Sequence, residues 1–454
     1  MATMVRSGVM LVVDAKALQQ AQDRLRERGI DVVRLGYSDL LGAERGRDLL
    51  VRRFARTAAD GVAFCRSVFA TSPRGDVIDI EGGLSAGLPD VLAVPDVGTV
   101  RDIPWEPGVA HMIADVFDPD GTPSQESPRT VLRRVLDRYD GVIPVVGPEL
   151  EFFLLEPDSG APRGWRRYGE GTGRVYTAGS VGDPENTQLA WLRRLDAYGL
   201  EVVAANHEFG SGQFEINLWH SDALDAADRT FRFRTAVQEL ARRQGKLATF
   251  MAKPFDDDAG SGFHVHFSCR APDGGALFDD PTGQDGLSRA ARSAVAGILA
   301  HAPALAALLN PTVTSYKRLG PGTMAPWLAD WGLDNRSALI RVPPERGGAT
   351  RLEVRLGDAS VNPYVGIAAV LAAAHLGMRD GLEPPPPLEG YGYDAARAPR
   401  LPSGLASALS ALEADAELAD VLGPRFVAAY VAYKRNELER FARTVTDWEF
   451  REYA

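Results

Sequence analysis

Cysteine is nearly missing from this chain: Cys65 and Cys269 are the only two among 454 residues. Two thiols in so long a sequence cannot form a disulfide framework, which points to a reducing compartment. Long hydrophobic runs are missing as well. The N-terminal apolar run at residues 9–13 is cut off by Asp14, too early for the core of a signal peptide. The longest apolar helical stretch, 367–378, contains His375 and Gly377 and falls short of a membrane span. Excess positive charge is also absent. A formal net charge of −11 argues against a nucleic-acid-binding surface and mildly favours cationic ligands. There is no internal repeat and no low-complexity tail. With 45% hydrophobic and 24% charged residues, the expectation is a soluble, cytoplasmic chain that binds neither membrane nor nucleic acid.

What the chain does have is an ordered succession of short strands and helices. Residues 15–29 read as an amphipathic helix with Leu18, Ala21 and Leu25 on one face and Gly29 ending it. Strand candidates follow at 30–35, 61–69 and 91–95, so the first part of the chain reads as a small α+β unit. A turn at Asp118-Pro119-Asp120-Gly121 precedes Ser127-Pro128, with Ser127 as N-cap and Pro128 in the first helical turn. The domain boundary is placed between the two. Beyond it, 142–155 is strand-rich and Asp183-Pro184 caps a helix carrying Leu189, Leu192 and Leu195. Residues 201–218 give two strands around Gly210-Ser211-Gly212, and a long helix covers about 222–244. Pro384 to Pro387 read as an exposed extended linker. A last helix, 425–443, sets Phe426, Tyr430, Tyr433 and Phe441 near one face.

Three features carry chemistry. In Gly260-Ser261-Gly262-Phe263-His264-Val265-His266-Phe267-Ser268 the two histidines face one way on a strand, behind glycines that leave room for a ligand. Such a pair is more often a hydrogen-bonded structural pair than a ligand pair. Glu149 and Glu151 likewise share one face of an otherwise apolar strand, where burial is costly unless they are paired. Arginine partners would satisfy them; so would a hard divalent cation, Mg²⁺ or Mn²⁺, for which oxygen ligands with an occasional imidazole are suited. The third feature is the arginine-rich stretch 315–355, whose interleaved Leu339, Ile340, Val342, Leu352 and Val354 make it half-buried. It is suited to clamping carboxylate or phosphate.

These features sit in a longer series. Gly147-Pro148-Glu149-Leu150-Glu151-Phe152-Phe153 is followed by His207-Glu208, Gln213-Phe214-Glu215 and Lys253-Pro254-Phe255. The histidine segment, Asn310-Pro311, Ser315-Tyr316-Lys317-Arg318, Asn335-Arg336-Ser337, 351–355 and Asn362-Pro363-Tyr364 complete it. On these motifs and their order the chain resembles the glutamine synthetase superfamily over nearly its whole length. The resemblance implies an α+β fold. A small β-grasp-like N-terminal domain (1–122) would stand on a large glutamine-synthetase-type catalytic domain (123–454) with a curved antiparallel sheet. It implies ATP as co-substrate and two Mg²⁺ or Mn²⁺ ions per site, with room for a third carried in with ATP. Glu151, Glu208 and Glu215 would hold the first ion; Glu149, His264 and Glu353 would hold the second. His266, Ser268 and Arg341 match positions that contact ATP, Arg336 one that stabilises phosphoryl transfer, and Gly260, Arg318 and Arg355 positions that bind glutamate. The implied assembly is a homododecamer of two hexameric rings. The loop at 64–69 would reach into a neighbouring site, and Trp448-Glu449-Phe450 would make ring contacts.

Two departures bear on the nitrogen substrate. The family binds ammonium with an Asp in a Phe-Asp-Gly-Ser-Ser-like loop and a Glu just after the flap's Pro-Gly; here these positions resemble Cys65 and Met324. An ammonium ion offers little but charge to hold, so losing both carboxylates implies an apolar amine pocket. The stretch 325–336 also resembles the γ-glutamylpolyamine and γ-glutamylethanolamide synthetase branch. The implied activity is an ATP-dependent ligase joining glutamate to an organic amine: a polyamine, ethanolamine or another monoamine. Ala259 and Gly348 also depart from the family, beside the acyl-substrate and ATP positions respectively. The competing readings are an ammonia-using glutamine synthetase, a catalytically silent structural relative and a metal-dependent hydrolase.

Overall fold

The computed structural model describes residues 14–161, 163–169, 175–394 and 397–454. The apolar run at 9–13 therefore lies outside the described residues. Two β-sheets organise the rest. The first contains β1 (Val32–Ser38), β2 (Glu44–Leu50), β3 (Val62–Cys65), β4 (Asp90–Pro95), β5 (Arg101–Asp102) and β6 (Val109–Phe117). Its order is β2-β1-β6-β4-β3, with β5 added alongside β6. β1 and β6 run parallel, and every other pairing in this sheet is antiparallel.

The helix Ala15–Glu27 packs on this sheet through Leu18, Ala21 and Leu25, as its spacing predicts. The Asp14 carboxylate caps it by accepting the amides of Lys16 and Ala17, both at 3.0 Å. Three strands escape the sequence reading: β5 because it is only two residues long, and the other two for opposite reasons. β6 is buried on both faces, so its apolar residues, interrupted by His111 and Asp115, do not alternate. β2 is a charged, largely exposed edge strand with no apolar face to announce it. The strand expected at 61–69 stops at Cys65 and continues as a 3₁₀ turn, Arg66–Ala70.

The second sheet is antiparallel and curls around one long strand, β7 (Ile143–Pro157). Its other strands are β8 (Trp165–Arg167), β9 (Val202–His207), β10 (Gln213–Leu218), β11 (Ser221–Asp222), β12 (Leu247–Thr249), β13 (Phe263–Arg270), β14 (Trp331–Leu333), β15 (Ile340–Val342) and β16 (Leu352–Val354). The main path is β14-β15-β16-β13-β7-β10-β9, while β8, β11 and β12 pair with further stretches of β7. Only β14 and β15 run parallel within it. Helices Ala223–Arg243, Arg289–Ala300 and Pro363–Asp380 bury their apolar faces in the adjoining core. The last two approach so closely that a Cβ on Gly377 would lie 2.1 Å from the Ser293 carbonyl oxygen.

Several local expectations are corrected. Ser127 occupies the N-cap position of Pro128–Leu136, but its hydroxyl makes no capping bond; Pro128 alone marks the start. In Thr187–Ala197 the cap residue is Asn186, while the Asp183 carboxylate accepts the amides of Thr187 and Gln188 at 2.9 and 2.8 Å. That helix buries Trp191 and Leu195 and leaves Leu189 exposed. Phe441 is 46% exposed and does not join Phe426, Tyr430 and Tyr433 in the core. Pro384–Pro387 is no free linker: Trp331 donates its indole N–H to the Pro385 carbonyl at 2.7 Å. Among the described residues no single helix is long and apolar enough to cross a membrane.

Candidate functional site

A cavity of about 800 Å³ opens where the curled sheet meets the segments 253–260 and 318–341. Sheet register delivers most of its acidic lining. On β7, Glu149 and Glu151 point to one face because side chains alternate. Glu149 lies opposite His264 of β13, and Glu151 opposite Glu215 of β10. Glu353 of β16 lies opposite both His266 and Arg341. Glu208 follows β9 directly. Thus Glu149, Glu151, Glu208, Glu215, His264 and Glu353 all line one cavity.

The six do not divide into two separate triads. His264 Nδ1 lies 3.5 Å from Glu149 and 3.8 Å from Glu353, while its Nε2 lies 4.0 Å from Glu151. His266, expected only at the nucleotide, places Nε2 3.1 Å from Glu149 and 3.9 Å from Glu353. Two groups have ligand atoms close enough to share a cation: Glu149 with Glu215 and His264, and Glu149 with His266 and Glu353. Glu149 is common to both. Arg351 donates from Nε to His266 Nδ1 at 3.2 Å, which turns that imidazole's Nε2 side toward the carboxylates.

Electrostatics splits the glutamates in a second way. Burial opposes charge on Glu353, but Arg355, His266 and His264 outweigh it and hold the carboxyl at about 2. Arg355 and Arg341 donate to its two oxygens at 2.5 and 2.6 Å. Burial also works against Glu149, and hydrogen bonds from His264 and His266 hold it well below the usual range. Glu208 and Glu215 go the other way. Burial, reinforced by Glu151, pushes Glu208 up to about 7. Burial together with Glu149, Glu151 and Glu208 pushes Glu215 up to about 9. Arginine partners therefore satisfy Glu353, whereas no ion pair to an arginine or lysine reaches Glu208 or Glu215 among the described residues. Desolvated, mutually repelling carboxylates with oxygen donors fit a divalent cation of the Mg²⁺ or Mn²⁺ type.

Carboxamides hold these carboxylates in place, and the sequence reading missed them. Gln213 donates to Glu151 at 2.9 Å and to the Gly260 carbonyl at 3.0 Å. Asn206 donates to Glu208 at 2.6 Å and Asn217 to Glu215 at 2.9 Å. Each is two positions from a glutamate or on the adjoining strand, so the same alternation that located the acids could have located them. The Gly262 amide donates to Glu151 at 2.8 Å. A Cβ at Gly262 would meet His264 Nε2 at 2.7 Å and Arg318 Nη2 at 2.9 Å, so a side chain there would displace both groups.

Gly260, Arg318, Arg336, Arg341 and Arg355 also line the cavity. Arg318 is buried, with Nη1 donating to the Leu356 carbonyl at 3.3 Å. Arg336 is exposed at the opening, and its carbonyl accepts from Arg355 Nε at 3.1 Å. Met324 lines the cavity at 38% exposure. His266, Ser268 and Cys65 are not among its lining residues; Cys65 ends β3 with an exposed thiol. The cavity gains three acids the sequence reading passed over, Asp256, Asp257 and Asp258. Arg167 pairs with Asp257 and, at 3.0 Å, with Asp258, which offsets much of that charge.

The glutamine synthetase catalytic-domain profile matches residues 125–453. The glutamine synthetase of Methanocaldococcus jannaschii is 34% identical over 450 residues, covering 96% of this chain and 98% of that protein. That of Halobacterium salinarum is 36% identical over 455 residues, 95% of each chain. Among solved structures, a GmaS/ADP complex superposes with a TM-score of 0.83 at 34% identity, covering 95% of this chain and 99% of that one. A structure described as a novel glutamine synthase homolog gives 0.81 at 27% identity, over 93% of this chain and 98% of that one. With its curled acidic sheet, its N-terminal sheet and near full-length matches, this chain belongs to the glutamine synthetase family of ATP-dependent ligases.

Proposed function

We propose that this ligase activates glutamate with ATP and transfers the γ-glutamyl group to an organic amine. The observation that carries the reading is Met324: the flap residue lining the cavity is a thioether where ammonium capture would call for a carboxylate. The solved GmaS structure, captured with ADP, supports the nucleotide half of the reading.

The residues divide the work as follows. Glutamate is gripped by Arg318, Arg355 and the Gly260 backbone, ATP by His266, Ser268 and Arg341. One divalent ion would fall to Glu151, Glu208 and Glu215 and the other to Glu149, His264 and Glu353, with Glu149 close enough to Glu215 to serve both and His266 within reach of the second; when bound, these ions would offset phosphate charge. The γ-carboxylate oxygen attacks the γ-phosphorus and ADP leaves, while Arg336 at the opening meets charge on the transferring group. The amine nitrogen then attacks the acyl carbon, phosphate leaves and the nitrogen loses a proton. Met324 walls the amine chamber of its own chain, and Cys65, remote from that cavity, acts in a neighbour's. On this reading the active site lies between subunits of a ring assembly. The exposed Trp448 and Phe450 support such packing. A division near residue 122 is supported by β6 ending at Phe117 and the next helix starting at Pro128.

Ammonium as the nitrogen donor is the second reading, favoured by the names of the sequence relatives and by the acids at 256–258. A single experiment separates the two: phosphate release with ATP, glutamate and Mg²⁺ against ammonium, ethanolamine, putrescine, spermine and short alkyl amines. Organic amines are expected to exceed ammonium by at least tenfold in kcat/KM; ammonium exceeding them all rejects the proposal.

A further inference from the structure

The flap that carries Met324 is a tight hairpin. Gly320 and Ala325 face each other in an antiparallel bridge, and the Thr323 hydroxyl donates to the Gly320 carbonyl at 2.6 Å. Met324 sits at φ +59°, a left-handed conformation that a side chain adopts only when its surroundings hold it. The hairpin's own bonds stop at Ala325, so something outside it must fix its angle over the cavity.

A strap formed by residues 385–394 and 397–401 lies alongside. Leu388 N donates to the Trp331 carbonyl at 2.7 Å, Ala329 N to the Pro399 carbonyl at 2.8 Å and Leu401 N to the Trp327 carbonyl at 3.0 Å. These bonds anchor the strap to the base of the flap at both ends. Midway, two consecutive residues grip two different cavity walls. The Tyr393 hydroxyl donates to the Ala325 carbonyl at 3.0 Å, one residue from Met324. The Gly392 amide donates to the Ser337 hydroxyl at 2.8 Å, one residue from Arg336, and Asn335 donates to the Gly390 carbonyl at 2.6 Å. Gly392 is closely packed: a Cβ there would lie 2.6 Å from the Leu388 side chain and 3.0 Å from Ser337 Oγ.

We propose that Tyr393 is a positioning residue which, through its hydroxyl, fixes the Met324 flap and couples it to the Arg336 loop. A closed flap keeps water from the activated acyl group while the amine is awaited. The role of the clamp in coupling rests on the ligase reading above; the existence of the clamp does not.

The test uses full-length Tyr393→Phe, which keeps the ring against Tyr391 (centroids 4.6 Å apart) and removes only the hydroxyl, with its bonds to Ala325 and the Thr323 side chain. Hydrogen exchange should become about three- to tenfold faster in peptides covering 320–326, the scale of one lost neutral hydrogen bond, and stay unchanged over β13. In the same variant, phosphate released per amide formed should rise about threefold or more and KM for the amine should rise, with KM for ATP unchanged. Unchanged exchange at 320–326 overturns the clamp. Faster exchange with unaltered coupling and amine KM overturns its positioning role. A parallel drop in kcat for every substrate with a lower Tm also does so, by showing a structural tie alone. If the wild type makes no amide from any amine, the ligase reading fails, and the exchange result still decides whether the clamp exists.

Discussion

Adding divalent metal to the metal-free enzyme should expel protons, and the number should change with pH in a way the glutamate cluster dictates. Burial and neighbouring carboxylates place Glu215 at about 9 and Glu208 at about 7. At pH 8 that leaves Glu215 about nine-tenths protonated and Glu208 about one-tenth, so metal binding releases about one proton per chain. At pH 6 both carry protons and about two are released, whereas by pH 10 the release falls to about a tenth. The same groups set a stability trend. Both bind protons more tightly folded than unfolded, so the metal-free protein loses stability as pH rises from the unfolded value of 4.5 toward 9. Saturating Mn²⁺ removes that loss. Isothermal titration of Mn²⁺ into chelator-treated enzyme, in buffers of different ionisation heat, counts the protons directly. The variant Glu215→Gln should release about one proton fewer at pH 6 and bind the metal at least tenfold more weakly. A proton count near zero at both pH 6 and pH 8 would refute the electrostatic account of the site.

Other perturbations probe separate parts of the account. Met324→Glu, alone and with Cys65→Asp, should raise kcat/KM for ammonium by about tenfold or more, since one ion pair at about 4 Å contributes on the order of 4 kcal/mol at an effective dielectric of 20; steady-state assays with ammonium and the best organic amine check it, and an unchanged acceptor profile refutes the pocket assignment. Arg336→Ala should lower kcat by about 10²–10³-fold with little effect on substrate KM, the pattern of a group acting on the transition state. Gly377→Ala should cost roughly 2–3 kcal/mol in urea unfolding, because its Cβ would strike the Ser293 carbonyl and the Gly297 backbone, neither of which can yield. Gly404→Ala, with nothing within 4 Å and no positive φ, meets no clash and should cost under about 1 kcal/mol, the loss of a glycine N-cap, and serves as the control.

The sequence carries much of the site because the site is built on strands. Alternation alone puts Glu149 with Glu151 and His264 with His266, and the antiparallel register then sets Glu149 against His264 and Glu151 against Glu215. What alternation does not convey is which carboxylates share a cation. That depends on side-chain reach across three strands, and it draws His266 toward Glu149 and Glu353. The arginine partners of Glu353, and the absence of such partners at Glu208 and Glu215 among the described residues, are tertiary facts of the same kind. In the N-terminal sheet, β2 and β6 were illegible because one is a charged edge and the other a fully buried centre. Residues 384–387 look like a linker because four prolines dominate them locally, while the contacts of Pro385, Gly390 and Tyr393 lie more than fifty residues away.

The most direct measurement is the amine profile of the wild-type enzyme, read as phosphate release with ATP, glutamate and Mg²⁺. An organic amine turned over at least ten times more efficiently than ammonium is the result expected from a chamber walled by Met324. Ammonium turned over more efficiently than every organic amine would contradict it.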